Sequence, residues 1–171
     1  MKKSILTFAL AISCAFIAQA QTEKGTLLLG GNAGFSSTSV AGASSSNYNL
    51  SPNVGYFISE NFALGGRVGF NGGSGFGGGS FSSYQIAPFG RYYFLPIGSN
   101  AKLFGDASIG IGGASGGGGN TTIFGLAAGP AVFLNKNTAL EITAGLQSAN
   151  TGGVSQTTFG LNVGFQIHFA K

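Results

Sequence analysis

Ionisable side chains are scarce in this sequence, and four of them fall inside segments that we predict to be β-strands. These four are Arg67, Arg91, Asp106 and Glu141. Two positive and two negative charges on one side of a sheet could form a salt-bridge cluster, an ion-selectivity ring or a proton relay. Because an unpaired buried charge is strongly unfavourable, we favour the salt-bridge cluster, with a structural role.

Side chains suited to catalysis or metal binding are rarer still. A nucleophile needs a base and an orienting group within reach. The single histidine, His168, lies in the last predicted strand with no Asp or Glu near it in sequence, and the single cysteine is Cys14. No Cys, His, Asp or Glu group has metal-ligand spacing. We therefore predict no catalytic residue, no metal site and no cofactor.

Glycine-rich runs at 72–80 and 112–120 could suggest phosphate-binding loops. Such a loop requires a following lysine and a helix, which both runs lack. Flexible, low-complexity loops are the simpler interpretation. The sequence also contains no basic run, so we expect no nucleic-acid partner.

The N-terminal segment and the low charge indicate export. Lys2 and Lys3 precede an apolar stretch at 5–17, and Ala18-Gln19-Ala20 forms a cleavage site, so we predict a signal peptide at 1–20 that is cut between Ala20 and Gln21. A lipoprotein signal ending at Cys14 fits the neighbouring residues poorly. Charged residues are only 7% of the chain, against about 25% in soluble domains. The remaining domain, 21–171, has a net charge of only +2.

The elements that must hold the four charges are β-strands, because apolar residues alternate with small or polar ones. In the last segment the residues from Phe159 to Phe169 at odd positions are apolar, and those between them are small or polar. The same pattern predicts eight strands in all. They cover 25–36, 46–58, 62–71, 82–94, 102–112, 122–134, 138–148 and 156–169. Short turns alternate with longer Gly/Ser-rich loops, which is typical of an up-and-down antiparallel barrel.

The apolar face of the predicted sheet is too bulky for the inside of an eight-stranded barrel, which holds only a packed set of side chains. We therefore expect this face to contact lipid and the small polar face to line the lumen. Outward aromatic residues form two belts, one at each end of the strands. The short-turn belt is Tyr56, Phe62, Tyr92, Phe94 and Phe169, and the long-loop belt is Phe35, Tyr48, Phe70, Tyr84 and Phe159. The fold class is thus an all-β, eight-stranded transmembrane barrel preceded by a cleaved signal peptide.

Lumen-facing aromatic residues cluster near the short turns. They are Phe57, Tyr93, Phe104 and Phe133. We expect them to plug the periplasmic end of the lumen. A turn centred between Gly98 and Ser99 would set Arg91 opposite Asp106.

The chain resembles the small outer-membrane β-barrel proteins of Gram-negative bacteria, most of all the stand-alone barrels of Bacteroidota, which share the architecture of the OmpA-type transmembrane domain. The resembling stretches are GTLLLGGNAGFS (25–36), LSPNVGYFISENFALGGRVGF (50–70), APFGRYYF (87–94) and GFQIHF (164–169). The resemblance implies insertion by the barrel-assembly machinery, which recognises a C-terminal strand ending in an aromatic. Phe165, Ile167 and Phe169 fit that signal, although Ala170 and Lys171 follow it.

We expect an integral outer-membrane protein with a structural or interaction role, monomeric and surrounded by lipid. A narrow pore for small solutes is the main alternative, since small polar residues line the predicted lumen. A secreted soluble barrel of lipocalin type is a third possibility. Pro52, Pro88 and Pro130 interrupt alternate strands, and we expect bulges or strand ends to accommodate them.

Overall fold

The computed structural model describes residues 22–40, 43–75, 78–115 and 118–169. Eight strands form one closed barrel in chain order, each antiparallel to its neighbours. Their bounds are β1 Leu27–Val40, β2 Ala43–Ser59, β3 Phe62–Ser74, β4 Ser80–Ile97, β5 Ala101–Ala114, β6 Gly118–Phe133, β7 Thr138–Thr151 and β8 Val154–Phe169. The described part of the chain contains no helix long and apolar enough to cross a membrane. The predicted signal peptide, its cleavage site at Ala20 and Gln21, and Ala170 and Lys171 lie outside the described residues.

All eight predicted strands are confirmed, but the predicted long loops between β1 and β2 and between β7 and β8 are wrong. The Ser/Thr-rich stretch after Phe35 continues as a β1–β2 ladder up to the pair Val40 and Ala43. The β7–β8 ladder likewise runs up to Thr151 and Val154, and the connecting Gly152 and Gly153 both have positive φ, as a tight hairpin turn requires. These neutral residues can pair because β-pairing needs only backbone groups, so the strands extend beyond the length that a membrane needs.

Side-chain exposure confirms the inside-out arrangement. The bulky apolar residues of both belts point outward. Except for the half-buried Phe62, their exposed fractions range from 47% at Tyr56 to 75% at Phe35. Inward positions are small, polar or buried aromatic. The soluble lipocalin-type alternative is wrong, because it requires the apolar face to enclose the lumen.

The hairpin of β4 and β5 contains two irregularities that cancel. Ile97 pairs with Ala101, so the turn is centred on Ser99 and not between Gly98 and Ser99 as predicted. The register then shifts by one between Tyr93 and Leu95, where β4 bulges. The bulge restores the pairing of Arg91 with Asp106. Because of this bulge, the consecutive residues Phe94 and Leu95 both point outward.

The three prolines lie inside strands without a bulge, so our expectation for them is wrong. Pro52, Pro88 and Pro130 each keep a partner on the preceding strand. On the side of the following strand, the proline and the residue before it have no partner. The ladder then resumes in the same register. Each proline nitrogen therefore faces a two-residue interruption of the ladder, which is how a closed barrel without edges accepts a residue that cannot donate.

Candidate functional site in the barrel lumen

The four charged strand residues meet in the lumen and form one chain of ion pairs, here called the lumen charge cluster. The Arg67 Nη2 atom lies 2.7 Å from both carboxylate oxygens of Asp106. Asp106 Oδ2 also accepts from Arg91 Nε at 3.2 Å. Arg91 Nη1 donates to Glu141 Oε1 at 2.8 Å. The alternating order of charges leaves each carboxylate next to a guanidinium, which offsets the cost of burying them.

The shortest contacts in the cluster do not follow strand adjacency. Arg91 and Asp106 are opposite each other in the β4–β5 ladder. Arg91 nevertheless makes its shortest ion pair with Glu141, which lies on β7 across the lumen. Asp106 makes its shortest ion pair with Arg67 of β3. Long side chains can reach across an eight-stranded lumen, so local pairing in the sequence does not determine the partner.

Aromatic faces complete the surroundings of both arginines. The Arg67 guanidinium lies 4.7 Å from the ring centre of Phe89, and that of Arg91 lies 4.3 Å from the ring centre of Phe104. Guanidinium groups stack favourably on such faces when they are removed from water. Phe89 is a residue that the sequence analysis did not select.

The predicted plug residues are brought together directly below the cluster, and we call Phe57, Tyr93, Phe104 and Phe133 the aromatic plug. Their exposed fractions do not exceed 5%. The ring of Tyr93 lies 5.8 Å from that of Phe57 and 5.6 Å from that of Phe104. The Tyr93 hydroxyl donates to Glu141 Oε1 at 3.4 Å, so the plug and the charge cluster form one packed layer.

Three further residues, which were not among the predicted plug residues, complete this layer. Leu28 is fully buried with the plug, on the inward side that alternation from the outward Phe35 gives it. His168 packs between Phe57 and Phe133, with ring centres 5.9 and 5.4 Å away. Gln166 donates to Glu141 Oε2 at 3.3 Å. The histidine ring is fully buried among aromatic rings, and neither of its nitrogens bonds to a protein group.

Residues 22–26, the N-terminal segment, fold against the short-turn end of the barrel. Thr22 accepts a backbone hydrogen bond from Asn61, and its hydroxyl donates to Asn61 Oδ1 at 2.7 Å. Lys102 Nζ donates to Thr22 Oγ1 at 2.7 Å and to Asn61 Oδ1 at 3.1 Å. Thr22 and Thr26 are both 2% exposed. The segment is therefore tied to the short-turn end of the barrel.

Lys102 is expected to hold this segment in place. Changing Lys102 to Met removes both donated hydrogen bonds and keeps most of the side-chain length, and we expect the segment to lose about 1 kcal/mol of local stability. Amide hydrogen exchange at Asn61, whose N–H is bonded to Thr22, should accelerate about fivefold. The matched control is Lys136→Met in the exposed β6–β7 turn, which should leave that exchange rate unchanged. Equal rates in the two variants would show that Lys102 does not hold the segment.

The described residues contain no group of three or more His, Cys, Asp or Glu side chains that could hold a metal ion. Every carboxylate of the lumen charge cluster is engaged with a guanidinium. The arrangement can therefore fix side chains and fill the lumen at this level.

Comparison with known sequences identifies a matching family. The model of the family described as outer membrane protein beta-barrel domain matches residues 6–166. No curated protein matches the sequence significantly.

Solved structures similar to this chain include β-barrels of bacterial outer membranes. Neisserial surface protein A matches with a TM-score of 0.63 and 17% identity, over 85% of this chain and 98% of that chain. The outer membrane protein OprG from Pseudomonas aeruginosa matches with a TM-score of 0.57 and 11% identity, over 89% and 99%. The N-terminal β-barrel domain of OprF from the same organism matches with a TM-score of 0.51 and 15% identity, over 84% and 98%. At these identities the similarity concerns the fold alone.

Proposed function

Because this chain belongs to the outer membrane protein β-barrel family, and is therefore an integral outer-membrane protein, we propose that its role is structural or interactive and that it carries out no catalysis. The observation that carries the proposal is the packed layer formed by the lumen charge cluster and the aromatic plug. Both arginines and both carboxylates are engaged with one another there, and Phe57, Phe104 and His168 are fully buried. A lumen filled in this way supports a role in which the outer surface and the rim of the barrel make the contacts with lipid and with other molecules.

The outer surface suits a protein that inserts as a monomer among lipids. Phe165, Ile167 and Phe169 belong to the lipid-facing side of β8, and β8 closes the barrel against β1. This placement supports a role for the three residues as the C-terminal assembly signal for the barrel-assembly machinery. Export would use the signal peptide at 1–20, with the barrel domain starting at Gln21.

The test of a closed lumen is electrical conductance. Protein refolded in detergent, and shown to be folded by a heat-modifiable shift in gel mobility, is added to a planar lipid bilayer. We expect no single-channel steps, because the packed layer and the N-terminal segment both obstruct the path. Regular steps from the folded form would overturn the closed-lumen proposal and favour the pore.

A narrow pore remains the second candidate because the upper half of the lumen is polar. Residues such as Asn32, Gln85 and Gln147 line a cavity on the long-loop side of the charge cluster. Conduction would require the aromatic plug to move as well, so the conductance experiment separates the two candidates.

A further inference from the structure

The lumen holds a cavity between the charge cluster and the long-loop end, here called the upper cavity. Its volume is about 250 Å³. Asn32, Asn49, Gln85, Gln147 and Asn162 contribute to its wall, and the Arg67–Asp106 ion pair lies among its lining residues. Nothing in the proposed structural role requires this space, because the barrel is already closed below it.

The chemistry of the wall selects for an uncharged ligand. The charged side chains that line the cavity are Arg67 and Asp106, which neutralise each other at 2.7 Å. The remaining polar lining consists of amides and hydroxyls, and each amide offers donors as well as an acceptor. An ion entering the cavity would find no unpaired opposite charge to offset its desolvation. A neutral molecule with many hydroxyl groups can satisfy donors and acceptors together.

Two buried atoms of the lining residues lack a hydrogen-bond partner within the protein. They are Asn49 Oδ1, an acceptor, and Arg67 Nε, a donor. Buried polar atoms are nearly always satisfied by protein, water or ligand. Neither atom has accessible surface, so neither is offered to a ligand in the cavity, and recognition falls to the lining amides and hydroxyls.

We propose that the upper cavity binds a neutral, hydroxyl-rich group of the size of a monosaccharide. The volume equals about eight water molecules at roughly 30 Å³ each. It falls just below the range of about 300–1,000 Å³ typical of sites for drug-sized ligands, so the ligand must be small. The group can arrive as a free solute or as the headgroup of a lipid. This inference goes beyond the proposed structural role and does not depend on it.

The direct test is a titration of the folded protein in a sugar-free zwitterionic detergent. Methyl β-glucoside represents the free solute, octyl β-glucoside the same headgroup with a tail, and gluconate a charged polyol. Side-chain amide signals of Gln85 and Gln147, which are hydrogen-bonded to each other at 2.6 Å, are followed by NMR. We expect saturable shifts with one or both glucosides and none with gluconate. Saturation with both indicates a site for free solute, and saturation with the octyl form alone indicates a lipid headgroup.

Variants separate this site from nonspecific binding. Gln147→Leu and, as an independent second variant, Gln85→Leu should each weaken binding at least tenfold, judged on protein that still shows the heat-modifiable shift. The matched control is Gln156→Leu on β8, which does not line the cavity and should leave the affinity unchanged. Absence of saturation with both glucosides, or equal affinity in all three variants, would overturn the proposal and leave the cavity to water alone.

Discussion

Replacing Arg91 with leucine is expected to lower the free energy of unfolding of the barrel by about 3–5 kcal/mol. Arg91 is 4% exposed and is the central link of the lumen charge cluster, since it contacts both Asp106 and Glu141. Its removal leaves Glu141 without its only ion-pair partner in the described residues and the cluster with a net negative charge. Unfolding by urea in lipid vesicles, followed by the heat-modifiable gel shift, measures the loss.

A second change should reverse much of this loss if the contacts are those described. In Arg91→Leu/Glu141→Leu the remaining pair, Arg67 and Asp106, is intact and neutral, so we expect the double variant to be clearly more stable than the sum of the single losses predicts. Arg91→Leu/Asp106→Leu is the matched comparison. It is also neutral, but it leaves Arg67 and Glu141 each without the partner it has now, so its recovery should be smaller. Additive losses in both double variants would show that the four residues do not act as one cluster.

Shortening Phe104 to alanine is expected to cost about 3–5 kcal/mol of unfolding free energy. Phe104 is fully buried, packs on the ring of Tyr93 and supports the guanidinium of Arg91 at 4.3 Å. The variant leaves a cavity in the aromatic plug and removes the surface on which Arg91 rests. The same urea titration measures the effect.

Phe159→Ala is the control for this change because it deletes the same atoms from the lipid-facing side. Phe159 is 66% exposed to the outside of the barrel, where lipid chains can fill the space that the ring leaves. We expect its loss to be at most about 1 kcal/mol. Equal losses at the two positions would mean that the plug is not a packed core.

The elements of the fold were predictable because the signals for strands are local. Alternation from Phe159 to Phe169 needs only neighbouring residues to be recognised, and the inward position of Arg67, Arg91, Asp106 and Glu141 follows from the same period of two. The strand ends were less predictable. Serine, threonine and glycine after Phe35 are compatible with loop or strand, and only the neighbouring strand decides whether they pair.

Within the lumen, the sequence indicated which side chains meet but not how they meet. The pairing of Arg91 with Asp106 in the ladder depended on a bulge between Tyr93 and Leu95, for which the sequence has no distinct signal. The proline interruptions were equally hidden, since they consist of pairs missing from a ladder whose register is otherwise regular.

Residue order alone was enough to predict an eight-stranded barrel with its apolar face outward, its charges inward and its aromatic plug near the short turns. These properties depend on residue type and on position along a strand, and the two-residue period of a strand fixes which face each side chain takes. The closed barrel was needed to show that Arg91 pairs most closely with Glu141, that the His168 ring packs between Phe57 and Phe133, and that Lys102 contacts Thr22. Each of these contacts joins residues far apart in the chain, so its geometry exists only once the barrel has closed.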